Sequence, residues 1–85
     1  MEQAHIITAR QSRMARAALD LSLPKLRERS GIGINTVSRF EGGAGMLAAT
    51  MEKLARTYMD MGVEFPDTRT VRLNEKALTL DDMAA

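Results

Sequence analysis

Apolar side chains recur at steps of three and four along most of this chain, and after Gly62 they alternate instead. The first regime predicts helices and the second predicts short strands. Thr8-Ala9-Arg10-Gln11 has the form of a capping box, with Thr8 as N-cap and Gln11 reaching back to it. It opens a helix over about residues 9–19 whose buried face is expected to use Met14, Ala15, Ala18 and Leu19. Asp20 and Leu21 leave that helix, and Ser22 offers the next N-cap. Pro24 is tolerated there because first-turn N–H groups have no intrahelical partner. This second helix, about residues 23–29, is closed by Ser30-Gly31; Gly33 then starts a third, about 34–41, which Gly42-Gly43 stop. In the segment MLAATMEKLARTYMDM, Leu47, Met51, Leu54, Tyr58 and Met61 mark a fourth, amphipathic helix ended by Gly62.

Beyond Gly62, Val63-Glu64-Phe65 and Val71-Arg72-Leu73 alternate around the turn-like PDTRT, which predicts a short hairpin. An isolated two-stranded ribbon is marginal in water, so these strands should pack on the helices or pair with another chain. The tail NEKALTLDDMAA leaves two alternatives, one more helical turn capped by Thr79 or disorder. The chain thus divides into a helical unit over 1–62 and an extension over 63–85.

Composition narrows the picture. At 85 residues the chain is near the size at which one core is only marginally self-sufficient, so a second subunit is expected to help. Two Phe, one Tyr and no Trp leave an aliphatic core, which favours helices over a sandwich or barrel. No apolar run approaches the roughly 20 residues that span a bilayer, and MEQAHIITARQ lacks an apolar signal core. With no cysteine there is no disulfide framework, and a bacterial cytoplasmic location, on the nucleoid, is the expectation. Net charge is only +1, but its distribution is uneven. Residues 1–43 carry seven basic side chains against four acidic ones, a balance of +3; residues 44–85 carry five against seven, a balance of −2. That asymmetry suggests a basic working end.

Gly31-x-Gly33 could open a nucleotide-binding loop or form the turn between two helices. A dinucleotide fingerprint needs a strand before it and a third glycine at the sixth position. Here the helical PKLRERS precedes it and the sixth position is Thr36, so the helix-turn-helix reading prevails.

The stretches ARAALDLS (15–22), LPKLRERSGIGINTVSRFEGG (23–43) and TMEKLARTYMDMGVEF (50–65), the last followed by VRL, resemble the Cro and lambda-repressor-like (XRE) helix-turn-helix domains. The resemblance runs from about Thr8 to Leu73. It implies a mainly α fold, four core helices with a short C-terminal β-hairpin or strand extension. Leu26, Ile32, Val37 and Phe40 sit where the two helices of the motif must pack, and Gly31 where the turn needs a left-handed backbone. Arg16 and Glu41 match the family's buried ion pair between the first helix and the end of the third. The third helix is then the one that enters the major groove, presenting Ile34, Asn35, Ser38 and Arg39. Arg39 suits guanine, Asn35 adenine, and Ile34 a thymine methyl. Phosphate contacts are expected from Lys25, Thr36, Gly43, the backbone near Ala44, and Arg13. Two positions depart from the family pattern: Leu23 stands where Gln is usual, and Arg27 where a small Ala is usual. Arg27 must therefore swing its head to the edge of the packing.

One such module buries only about 600–1,000 Å² on DNA, so a two-fold dimer on an inverted repeat is expected. Val63, Phe65, Val71 and Leu73 are the candidate intersubunit residues, while Met51 and Leu54 are assigned to the chain's own core. No catalytic set is visible: His5 is the only histidine, carboxylates are scattered, and nothing has metal-ligand spacing. The expectation is a binding protein without metal, cofactor or small-molecule substrate, a sequence-specific regulator of transcription that represses its own or a neighbouring promoter. The alternative is an interaction module, such as an antitoxin or bridging factor, whose 63–85 tail binds a protein partner.

Overall fold

The computed structural model describes residues 7–77, which form a mainly helical domain with a small two-stranded antiparallel sheet. The helices are α1 (Ala9–Leu19), α2 (Leu23–Ser30), α3 (Ile34–Glu41) and α4 (Ala48–Asp60), followed by strands β1 (Val63–Glu64) and β2 (Arg72–Leu73). None of the described helices is long and apolar enough to cross a membrane. His5 and Thr79, and with Thr79 the proposed last cap, lie outside the described residues, although 75–77 are helical.

Local chemistry sets most of these boundaries. Thr8 accepts from the Gln11 backbone N–H at 3.0 Å while the Gln11 amide oxygen accepts from the Thr8 N–H at 3.1 Å, completing the capping box. Ser22 caps α2 by accepting from the Lys25 N–H at 3.2 Å. Gly31 ends α2 with a φ of +75°, a left-handed geometry that costs a residue with a Cβ about 1–2 kcal/mol. The Ser30 hydroxyl accepts from the Ile32 N–H at 3.0 Å and fixes the start of the turn.

The core is one cluster in which Leu26, Ile32, Val37, Phe40, Leu54, Ala55, Tyr58 and Val63 are all buried. Each large aliphatic side chain taken wholly out of water contributes about 1.5–3 kcal/mol. α3 packs on α1 and α2, and α4 packs on α2 and β1. The hairpin pairs Val63 with Leu73 and Glu64 with Arg72, and Phe65 meets the Tyr58 ring edge-on with centroids 6.2 Å apart.

Two apolar assignments are corrected. On α1 the buried positions are Gln11, Ser12 and Ala15, while Met14 is 41% exposed and Ala18 is exposed. The helix turns a polar stripe inward because Gln11 and Ser12 find hydrogen-bond partners there. Leu47 is 78% exposed: it is the N-cap of α4, lying before the helix whose stripe it was expected to join. Leu54, Tyr58 and Met61 of that stripe are buried, and Met51 is half-buried.

The loop after β1 is tied down by α1. The Gln11 amide nitrogen donates to the Asp67 carbonyl at 2.6 Å and to the Thr70 carbonyl at 3.0 Å. Asp67 closes the same loop by accepting from the Arg69 N–H at 2.8 Å and the Thr70 hydroxyl at 3.1 Å. These donors hold its carboxyl below the usual carboxylate range, the Arg69 N–H first.

Candidate nucleic-acid interface

α3 has two unlike faces. Val37 and Phe40 point into the core, 1% and 5% exposed, and the helical period then carries Asn35, Ser38 and Arg39 outward, all exposed, with Ile34 half-buried beside them. Among the described residues, no hydrogen bond or ion pair engages the side chains of Asn35, Ser38 or Arg39. Their amide, hydroxyl and guanidinium groups are free to bind a surface brought against the helix. Gly33, the N-cap, is extended (φ −60°, ψ 145°) and supplies no side-chain cap.

Two open concavities flank this helix. One, of about 420 Å³, is lined by Arg27, Gly33, Ile34, Asn35 and Thr36. The other, of about 450 Å³, runs from the Gly31 turn past Thr36 to Thr50 and Lys53 on α4, with Met46 and Leu47 on its rim. Thr36 belongs to both. Lys53 reaches the turn itself: a Cβ placed on Gly31 would lie 3.5 Å from the Lys53 ammonium.

Charge is distributed to match. Lys25, Arg27 and Arg29 on α2, Arg39 on α3 and Lys53 on α4 are all exposed, and none is in an ion pair among the described residues. The paired cations lie elsewhere: Arg16 with Glu41, and Arg72 with Glu64 at 2.6 Å. Sequence reasoning did not single out Lys53 or Thr50, because their proximity to α3 depends on how α4 crosses the turn.

Three expected phosphate contacts are modified. The Gly43 N–H donates to the Phe40 carbonyl at 3.0 Å and the Ala44 N–H to the Arg39 carbonyl at 2.9 Å. Both groups close the C-terminus of α3, so they are not free anion donors. Arg13 is exposed, but its guanidinium donates through Nη1 to the Glu41 carbonyl and so caps the same helix end. Lys25 and Thr36 remain exposed, with side chains that no hydrogen bond or ion pair engages among the described residues.

Behind the exposed face a polar network fixes α3. Glu41, 7% exposed, receives Arg16 Nε at 2.9 Å, Arg16 Nη2 at 2.6 Å and the Ser12 hydroxyl at 2.6 Å. The Ser12 hydroxyl also lies 2.8 Å from the Tyr58 hydroxyl, which brings α4 into the network. Burial pushes the Glu41 carboxyl up, but the hydrogen bonds from Arg16 and Ser12 and the nearby Arg16 and Arg13 charges outweigh it and hold it low. The hydrogen bond to Glu41 raises Arg16 in turn. Burial pushes the Tyr58 phenol up to about 12. Ser12 and Tyr58 were missed as partners because neither residue type signals a buried carboxylate by spacing alone.

Of the four strand residues expected between subunits, Val63 is only 1% exposed and belongs to the chain's own core, which leaves it no surface for a partner. Phe65, Val71 and Leu73 are half-buried against that core and keep part of their area outward. Comparison with protein-family models, with curated proteins and with solved structures finds no match to this chain.

Proposed function

We propose that this chain is a sequence-specific, double-stranded-DNA-binding regulator of transcription with a Cro and lambda-repressor-like arrangement, in which α3 enters the major groove. The observation that carries the reading is the outward face of α3. Asn35, Ser38 and Arg39 stand side by side with polar groups unengaged among the described residues, next to a half-buried Ile34 and among cations on α2 and α4 that have no ion pair among those residues. Arg39 pairs with guanine and Asn35 with adenine, each worth about 1–3 kcal/mol of discrimination. Lys25 and Thr36 meet phosphates on either side. The helix order and the sharp α2–α3 turn at Gly31 support the same arrangement.

A single module of this size reads few base pairs, so the working form is a homodimer on an inverted repeat. Phe65, Val71 and Leu73 supply its apolar contact. It acts as a repressor at its own or a neighbouring promoter, on the nucleoid of a bacterial cytoplasm. The test is binding to the DNA upstream of its own gene at two salt concentrations. Specific binding that weakens steeply with salt is expected. Arg39→Ala should relax sequence preference, and Lys25→Ala should weaken all sequences alike. Unchanged preference in Arg39→Ala would sink the assigned reading face.

A further inference from the structure

Arg27 belongs to α2, yet it lines the same concavity as Ile34 and Asn35 at the start of α3. It is exposed, and no ion pair or side-chain hydrogen bond engages it among the described residues. The residues one helical turn away are Leu23, Pro24, Ser30 and Gly31, and Glu28, the carboxylate of α2, is its immediate neighbour in sequence, a spacing that does not bring two side chains face to face on a helix. Gly33, between Arg27 and the reading helix, carries no side chain to wall it off. An unpartnered guanidinium with its five donors thus stands beside the N-terminal end of α3.

We propose that Arg27 is a further specificity-determining residue, reaching from α2 to a guanine O6/N7 edge next to the base met by Asn35. The proposal rests on the reading of α3 as a major-groove helix. Base contact is favoured over phosphate contact by Ile34 and Asn35, which line the concavity beside Arg27 and which that reading sets against base edges. Thr36, expected at a phosphate, also lines it, whereas Lys25, expected at a phosphate too, lines no part of it. The guanidinium fork matches the paired acceptors of guanine in the major groove.

The test is selection from a randomised duplex library with the full chain, run on the wild type, Arg27→Ala, Arg27→Gln and Asn35→Ala. The wild type is expected to enrich a G·C pair beside the pair that Asn35→Ala makes indifferent. Arg27→Ala should lose preference at that G·C pair by roughly 5- to 150-fold and keep it elsewhere. Arg27→Gln should move the preference there toward adenine, an outcome that a misfolded variant could not give. Uniform weakening of every sequence by Arg27→Ala, with the salt slope reduced by about one, would identify a phosphate contact and overturn the proposal. An unchanged profile in Arg27→Ala alongside a lost position in Asn35→Ala would overturn it and leave the α3 reading standing. A wild type that enriches no sequence would overturn both.

Discussion

The Arg16 guanidinium grips the Glu41 carboxylate through two parallel hydrogen bonds, Nε to Oε2 at 2.9 Å and Nη2 to Oε1 at 2.6 Å. The pair ties α1 to the last turn of α3, so the helix proposed to read DNA is held at the end away from its reading residues Ile34 and Asn35. Glu41 is almost wholly buried, whereas Arg16 is 23% exposed. Removing the arginine leaves a carboxylate served only by the Ser12 hydrogen bond and the nearby Arg13 charge. Arg16→Met should therefore lower stability by about 2–3 kcal/mol, below the range for a fully buried pair because Arg16 keeps some water. Urea denaturation measures this, and adding Glu41→Gln to Arg16→Met should recover part of the loss.

Acid should find the same site. The Glu41 carboxyl is held low in the folded chain, so its contribution is present above the ordinary carboxylate pKa of about 4.3 and is lost as pH falls through the depressed folded value. Stability of the wild type is expected to drop steeply below that pH. Glu41→Gln should be less stable at neutral pH and show a flatter acid limb; an identical limb would remove Glu41 from the account.

Alkali should find Tyr58. Burial raises its phenol to about 12, so the fold disfavours tyrosinate. The contribution is complete below the free phenol value of about 10 and is lost as pH rises from there to about 12. Tyr58 is the only tyrosine and there is no tryptophan, so near-ultraviolet absorbance reports this one group. Tyrosinate should appear late and together with unfolding. Ionisation near the free value with the helices intact would contradict the buried hydroxyl contact with Ser12.

Sequence reasoning located what local chemistry decides. The Thr8–Gln11 box, the Ser22 cap and the Gly31 turn are set by residues three or four apart, and α3 runs over the expected 34–41. Once Val37 and Phe40 are inside, the 3.6-residue period alone places Asn35, Ser38 and Arg39 outside. What stayed hidden depends on distant partners. Gln11 and Ser12 stay off the expected buried face of α1 until Asp67, Glu41 and Tyr58 arrive to satisfy them. Leu47 reads as core until α4 is seen to start after it. Val63 reads as interface surface because alternation gives a strand's faces without saying which lies on the same chain's helices.

Gln11 offers a sharp test of one such distant contact. Its amide nitrogen donates to two carbonyls, those of Asp67 and Thr70, from a position only 1% exposed. Gln11→Glu keeps the shape and the capping acceptor but turns an oxygen toward both carbonyls. It should cost about 2–3 kcal/mol, because a carboxylate oxygen at this buried position then faces two carbonyl oxygens with no donor between them. Hydrogen exchange should show the 67–70 loop opening before the α2–α3 unit.

Gly62 carries the most specific steric prediction. Its φ is +97°, and a Cβ built there would run into the Ala77 backbone nitrogen and lie 2.7 Å from the Ala77 Cβ. Its carbonyl also accepts from the Asn74 N–H at 2.9 Å, so the chain after β2 is folded directly over it. Two costs therefore combine in Gly62→Ala, the left-handed backbone and the displacement of backbone atoms that cannot rotate away. Together they should lower stability by about 3 kcal/mol or more. Gly45→Ala is the control, since a Cβ there meets nothing within 4 Å and its backbone needs no left-handed geometry. It should leave the denaturation midpoint nearly unchanged. Because Gly62 lies at the join between α4 and the hairpin, Gly62→Ala should also release the amides of β1 and β2 to exchange while those of α3 stay protected. A uniform loss of protection would instead mean that the hairpin and the helices unfold as one unit.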